Sequence, residues 1–210
     1  MYNPRLFRET DTGRLFDLIE EYSFGMLIVA GDGGSPEITH VPFLLDRHAG
    51  PSGALRCHVA RANPVWKLAQ GRPVTAVFNG PHGYVSPRWY ERPTEQVPTW
   101  NYAVVHAHGR AEAPLPREEL RRLLVDLAAA NERGAASPWT MEAMVPGRAD
   151  EMLEGIVGIA ISIERLEGKL KLSQNRSPED RARVRRALAE RGSAEDLAML
   201  RWMPEAKDTD

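Results

Sequence analysis

From Trp100 to Ala111 the side chains alternate residue by residue, and no other feature restricts the fold as tightly. Trp100, Tyr102, Val104, His106, His108 and Arg110 share one face of an extended strand. Asn101, Ala103, Val105, Ala107 and Gly109 share the other, so one face is bulky and the other mostly small. A period of two does not suit a helix, so the chain needs a sheet to receive this strand. The small face lets a second element, or a flat ligand, approach closely.

Other segments supply partners for it. Phe24–Ala30 is a short apolar run, Gly31–Gly34 is rich in turn residues, and Glu37–Asp46 reads as a partner strand. Pro42 inside that strand points to an edge or a bulge, because proline has no N–H for the ladder. Ala54–Ala60, Pro73–Gly80 and Ile156–Arg176 add strand character, with a short helical link at Pro64–Ala69. Amphipathic spacing predicts helices over Asp11–Tyr22, capped by Asp11 or Thr12, and over Arg117–Arg133, buried through Leu120, Leu123, Leu124 and Leu127. Two more helices are expected at Pro178–Arg191 and Ala194–Trp202. Gly80–Pro98 reads as a long loop carrying Tyr84, Trp89 and Tyr90. Five or six short strands with helices at irregular places predict a mainly β, α+β fold. It would be an antiparallel barrel or sandwich with flanking helices, not a doubly wound parallel sheet.

Composition narrows the function classes. Twenty-seven basic against 29 acidic residues give a formal charge of −2, so a whole-protein field for nucleic acid or an anionic membrane is absent. Cys57 is the single cysteine, which rules out an intrachain disulfide and a thiolate metal cage. No stretch reaches the roughly 18–20 apolar residues of a membrane span, and the N-terminus lacks a signal-peptide core. A cytoplasmic protein that does not engage a membrane is the expectation.

Phosphate loops, dinucleotide glycine fingerprints, nucleophile elbows and two-histidine zinc helices are missing. Four constellations remain. His106 and His108 project to one strand face and could share a metal with a third ligand, although hydrogen bonding within a barrel wall is the simpler role. His58, on a strand with Arg56, is either a satisfied structural group or a single axial ligand to haem, which needs one imidazole and an apolar slot. Lys171–Arg176, with Lys171, Ser173, Gln174, Asn175 and Arg176, concentrates donors that suit a phosphate monoester; the alternative is a polar turn. Trp100 and Tyr102 with Asn101 suit a planar heterocycle, or equally a core wall, and Ser86 and Trp89 sit in a loop able to cover it. The arginine-rich helix at Pro178–Arg191 interleaves Glu179, Asp180 and Glu190 with its cations. A solvated, ion-paired face accounts for it more simply than DNA contact.

Taken in order, the blocks "MYNPRLF", "ITHVPFLLD", "CHVARANPVW", "GPHGYVSPRWY", "VPTWNYAVVHAHGRA", "IVGIAISIERLEGKLKLSQNR" and "SPEDRARVRRAL" resemble the FMN-binding negative transcriptional regulators of the PaiB type. The resemblance implies a Greek-key split barrel of the pyridoxamine-phosphate-oxidase type, homodimeric, with FMN at the subunit interface. It divides the chain into a cofactor-binding barrel over 1–172 and a helical extension over 173–210. It implies a role in transcriptional regulation, hence DNA as a partner, and a small-molecule ligand. By motif position, Thr39, His40, Arg61, Asn63 and Ser86 would face the flavin, joined by Trp100, Asn101 and Tyr102. Lys171, Ser173, Gln174, Asn175 and Arg176 would lie near the phosphate or the dimer partner. Asn79 and Gly83 depart from the family's glutamine and alanine in its "GPHAYISP" block. Two further activities sit within reach of the resemblance: a flavin oxidoreductase, and a haem b enzyme, piperazate synthase-like, that closes an N–N bond in an N-hydroxylated ornithine. In that last reading His58 is the axial ligand and Arg61 lies near the substrate.

Overall fold

The computed structural model describes residues 1–31 and 33–204. Asp32 of the expected Gly31–Gly34 turn, and residues 205–210 of the expected C-terminal extension, lie outside the described residues. The strands are β1 (Arg8–Glu9), β2 (Phe24–Ala30), β3 (Pro36–Pro42), β4 (Leu44–Asp46), β5 (Ala54–Ala60), β6 (Pro73–Val85), β7 (Thr99–Glu112) and β8 (Ile156–Lys171). The helices are α1 (Thr12–Glu21), α2 (Val65–Ala69), α3 (Arg117–Asn131), α4 (Arg148–Glu154), α5 (Pro178–Arg191) and α6 (Ala194–Trp202). Strand order is β3-β2-β6-β7-β8-β5-β4, with β1 paired to β8. The β2–β3, β2–β6, β4–β5, β5–β8 and β1–β8 ladders are all antiparallel.

The chain divides into two compact units, one holding Met1–Leu18, Asn79–Val105 and the chain from Glu167 onward, the other Ile19–Phe78 and His106–Leu166. The long strands β6, β7 and β8 run from one unit into the other. In the second unit β2 pairs with β3 on one side and β6 on the other, β5 bridges β4 and β8, and β3 lies alongside β5, which curls the sheet. Leu27, Val29, Leu55, Cys57, Phe78, Ile159 and Ile161 fill its interior. Each fully buried aliphatic side chain there contributes about 1.5–3 kcal/mol. Outside the sheet, α3 buries Leu120, Leu123 and Leu127 against Leu153 of α4. In the first unit α5 and α6 pack together through Val184, Leu188 and Met199. Ser177 and Ser193 cap them, the latter in a reciprocal box with Asp196.

Three segments depart from the sequence reading. The expected strand Glu37–Asp46 is two: β3 stops at Pro42, the Phe43 N–H turns to the Ser23 carbonyl, and β4 pairs with β5 instead. The expected loop after Gly80 begins as strand, because β6 continues to Val85 before two 3₁₀ turns at Pro87–Trp89 and Pro93–Glu95. Glycine serves tight packing there: a Cβ on Gly80 would lie 3.2 Å from that of Ala103, and one on Gly83 2.7 Å from Met199 Cε. Pro81 is tolerated because β2 covers β6 only through Val77. Helix α4 was not foreseen; its seven residues carry just one buried side chain, too little for a periodic signal.

The small face of β7 is the buried one: Asn101, Ala103, Val105, Ala107 and Gly109 point inward, while Trp100 through His108 on the other face remain half-buried or exposed. A Cβ on Gly109 would sit 2.2 Å from the Ser162 carbonyl oxygen of β8. Gly109→Val should therefore lower stability by about 3 kcal/mol or abolish folding, read by urea denaturation. An unchanged midpoint would show that β8 does not press on β7 at this point.

Candidate functional site

Of the residues marked from sequence, Thr39, His40, His58, Arg61 and Asn63 belong to one unit and the other nine to its companion. In the first group, Asn63 Nδ2 donates to Thr39 Oγ1 at 3.1 Å, and its Oδ1 accepts from the Val65 N–H at the start of α2. His40 is exposed and stacks on Phe24 with ring centroids 6.3 Å apart. Arg61 turns its guanidinium onto the Glu154 and Ile156 carbonyls at 2.5 and 3.0 Å, so it closes the C-terminal end of α4.

His58 stands apart from these anchored groups. It lines a cavity of about 510 Å³ whose walls are largely apolar, from Leu124 and Leu127 on α3 to Trp139, Met141, Met144 and Met152. Its Nδ1 is buried, and the ring makes no hydrogen bond among the described residues. Burial lowers its pKa from the ordinary 6.5, so the imidazole is neutral at pH 7. A neutral imidazole with an uncommitted nitrogen, set in an apolar cavity, fits the protein ligand of a haem iron. Neighbouring Cys57 faces the opposite side of β5, fully buried, with its thiol pushed up to about 12, which removes it as a nucleophile.

The second group gathers where β7 begins and β8 ends. Lys171 Nζ donates to the Thr99 hydroxyl and, at 2.8 Å, to the Trp100 carbonyl. Arg176 binds Gln96 and lies over the Tyr90 ring, 4.5 Å from its centroid. Lys169 is buried between Tyr2 and Tyr102, at 5.4 and 5.3 Å from the ring centroids, and donates to the Tyr2 carbonyl. Burial lowers the Lys171 pKa, and the charges of Lys169 and Arg176 add to the effect. Among the described residues none of these three cations has a carboxylate partner. Such a cluster is a place for an anion, and Trp100, 53% exposed beside His82 and Tyr84, offers stacking area next to it.

The remaining predicted residues hold this corner in shape. Asn101 and Ser173, both buried, bond to each other at 2.9 Å, and Ser173 adopts a left-handed φ of 69°. Gln174 bonds the Leu172 N–H and the Leu170 carbonyl; Ser86 caps the turn at Pro87–Trp89; Asn175 is exposed. Of the two strand histidines, His108 Nδ1 bonds Thr75 Oγ1 at 3.0 Å and stands 6.0 Å from the His106 ring, centroid to centroid. On the arginine-rich α5, Arg185 bonds the Leu200 and Met203 carbonyls, and Arg191 pairs with Asp196, whose carboxyl it helps hold down near 2. Lys169 was missed in the sequence because a lysine facing two distant aromatic rings leaves no local signal.

The eight-stranded antiparallel sheet with its flanking helices is a split barrel of the pyridoxamine-phosphate-oxidase type. Solved structures share this fold. The flavocytochrome Anf3 from Azotobacter vinelandii matches at a TM-score of 0.62 and 16% identity, over 78% of this chain and 69% of that one. An FAD and heme binding protein from Mycobacterium smegmatis matches at 0.61 and 20%, over 83% and 78%. The family described as "Putative FMN-binding domain" matches residues 1–165, and the chain belongs to it. A curated relative is the protease synthase and sporulation protein PAI 2 of Bacillus subtilis (strain 168), 35% identical over 184 residues, covering 86% of this chain and 85% of that protein. The resemblance read from the sequence blocks is thereby borne out. No helix among the described residues is long and apolar enough to cross a membrane.

The buried imidazole has a consequence for acid stability. An unfolded chain takes up a proton at His58 near 6.5, whereas the folded chain resists it to lower pH. Stability from this group is complete above pH 6.5 and declines as pH falls toward the folded pKa. His58→Leu should flatten the fall in melting temperature between about pH 7 and pH 5; an identical slope in both proteins would contradict the burial of the ring.

Proposed function

We propose that this protein is a haem b-binding member of its family, with His58 as the protein ligand to the iron. The single observation that carries this reading is the unbonded, neutral imidazole in the wall of an apolar cavity of about 510 Å³. Iron held there would supply a Lewis-acidic, redox-active centre. The chain's own part is to present one nitrogen, to keep it deprotonated by burial, and to exclude water with leucine, methionine and tryptophan side chains. The activity that suits such a site is closure of an N–N bond in an N-hydroxylated ornithine, the amine nitrogen displacing the hydroxyl oxygen as water, which is the chemistry of a divergent haem branch within the family that the sequence resembles. Purified protein incubated with hemin should develop a Soret band, and His58→Ala should abolish it. Retention of the same band in that variant would move the ligand elsewhere.

A second reading, favoured by the family match and by the uncompensated Lys169, Lys171 and Arg176 beside Trp100, is an FMN-binding regulator of the PaiB type. The cations would take the phosphate and the indole would stack on the isoalloxazine ring, with a second copy of the chain completing a homodimeric site. The 35% identity to a protein named for protease synthesis and sporulation supports a regulatory role; DNA as its partner follows from the family resemblance alone. In this reading the purified protein is yellow and dimeric by light scattering. Arg176→Ala then weakens FMN binding by roughly 1.5–3 kcal/mol in a fluorescence titration. A colourless protein that takes up neither FMN nor haem at micromolar concentration would overturn both readings.

A further inference from the structure

Three of the seven methionines in the chain, Met141, Met144 and Met152, line the His58 cavity together. They differ in how far an oxidant can reach them. Met152 is 53% exposed and Met144 is half-buried. Met141 is 9% exposed, and its sulfur accepts a hydrogen bond from Arg121 Nη1 at 3.4 Å. Met199 and Met203 are buried. Cys57, the single cysteine, is fully buried with its thiol pushed up to about 12, so it supplies no thiolate to compete for an oxidant. An accessible thioether is attacked by peroxide: the O–O bond breaks, one oxygen passes to sulfur, the sulfur loses two electrons, and the other oxygen leaves as water. The product is a sulfoxide, a polar acceptor on what was an apolar side chain.

Resting on the haem reading above, we propose that Met144 and Met152 are a peroxide-sensitive pair in the wall of the His58 cavity, whose conversion to sulfoxides lowers the affinity for haem and whose reduction restores it. Before haem binds, a sulfoxide oxygen on either residue keeps access to water. A macrocycle seated against the wall removes that water, and an acceptor left without a partner there costs about a factor of ten in binding. Three donors near the wall already have acceptors: Asn131 Nδ2 bonds the Leu127 carbonyl, the Trp139 N–H bonds Glu132, and Arg121 bonds Met141 and Asp150. His58 itself stays in place on β5, so oxidation alters the seat of the ring and not the iron ligand.

The test uses the full chain before hemin is added, treated with hydrogen peroxide and then freed of it. Peptide mass mapping should find one added oxygen on Met144 and Met152 while Met141, Met199 and Met203 remain thioethers. Titration with hemin, followed by the Soret band, should show affinity lowered about tenfold in the oxidised protein. Methionine sulfoxide reductases of both stereospecificities should return it to the starting value. The double variant Met144→Leu with Met152→Leu keeps apolar side chains of similar volume, so it should bind hemin within about a factor of two of the unmodified protein and lose the response to peroxide. If both residues are oxidised and hemin binds as before, or if the double variant responds as strongly as the unmodified chain, the proposal falls and the haem reading stands. If the untreated protein takes up no hemin, both fall.

Discussion

Close approach of strands through the small-residue face of β7 is the constraint from which the rest of the structure follows. Ala103, Ala107 and Gly109 keep the inward face small along most of its length, and at Gly109 β8 presses its Ser162 carbonyl to where a Cβ would otherwise stand. Interiors packed at crystal-like density do not absorb even one extra methylene without shifting neighbours. The same alternation sends the bulky side chains of β7 outward. Trp100 and Tyr102 are thereby kept out of the core and left next to Lys171 and Lys169.

Two electrostatic environments result, and they are of opposite kinds. Around His58 the wall is apolar, the pKa is lowered, and the ring keeps an unprotonated nitrogen at neutral pH. At the start of β7 and the end of β8, lysines and an arginine accumulate with no carboxylate partner among the described residues, tolerated because backbone carbonyls and aromatic faces take the place of counter-charges. Desolvation governs the first and ion–dipole contact the second. An apolar slot with one imidazole suits a metal macrocycle, whereas a cationic corner with an indole suits a flavin phosphate.

Much of the scaffold was legible in the residue order. Phe24–Ala30, Ala54–Ala60, Pro178–Arg191 and Ala194–Trp202 fall on their elements to the residue, because each starts at a serine, glycine or proline boundary. The errors cluster where glycine and proline serve packing instead of turning. "GPHGYV" read as loop is strand, since Gly80 and Gly83 are there to let Leu18, Ala103 and Met199 come close. The expected strand after Glu37 breaks at Pro42, which pairs at the end of one ladder and hands the chain to another. For the site, motif position marked His58 and Lys171–Arg176 as candidates but gave nothing of what surrounds them. Arg61, marked as a substrate neighbour, spends its guanidinium on the carbonyls that end α4.

The amino-acid order alone determined the class of fold and the family, because strand alternation, helix periods and contiguous blocks are local properties of the chain. Only the tertiary structure decided which histidine faces an apolar cavity. His108 finds Thr75 from another strand and His40 finds Phe24, while His58 is left facing methionines and leucines delivered by α3, α4 and the segment between them. Whether an imidazole is satisfied, solvated or available depends on groups brought from distant parts of the chain, and no local pattern encodes that encounter.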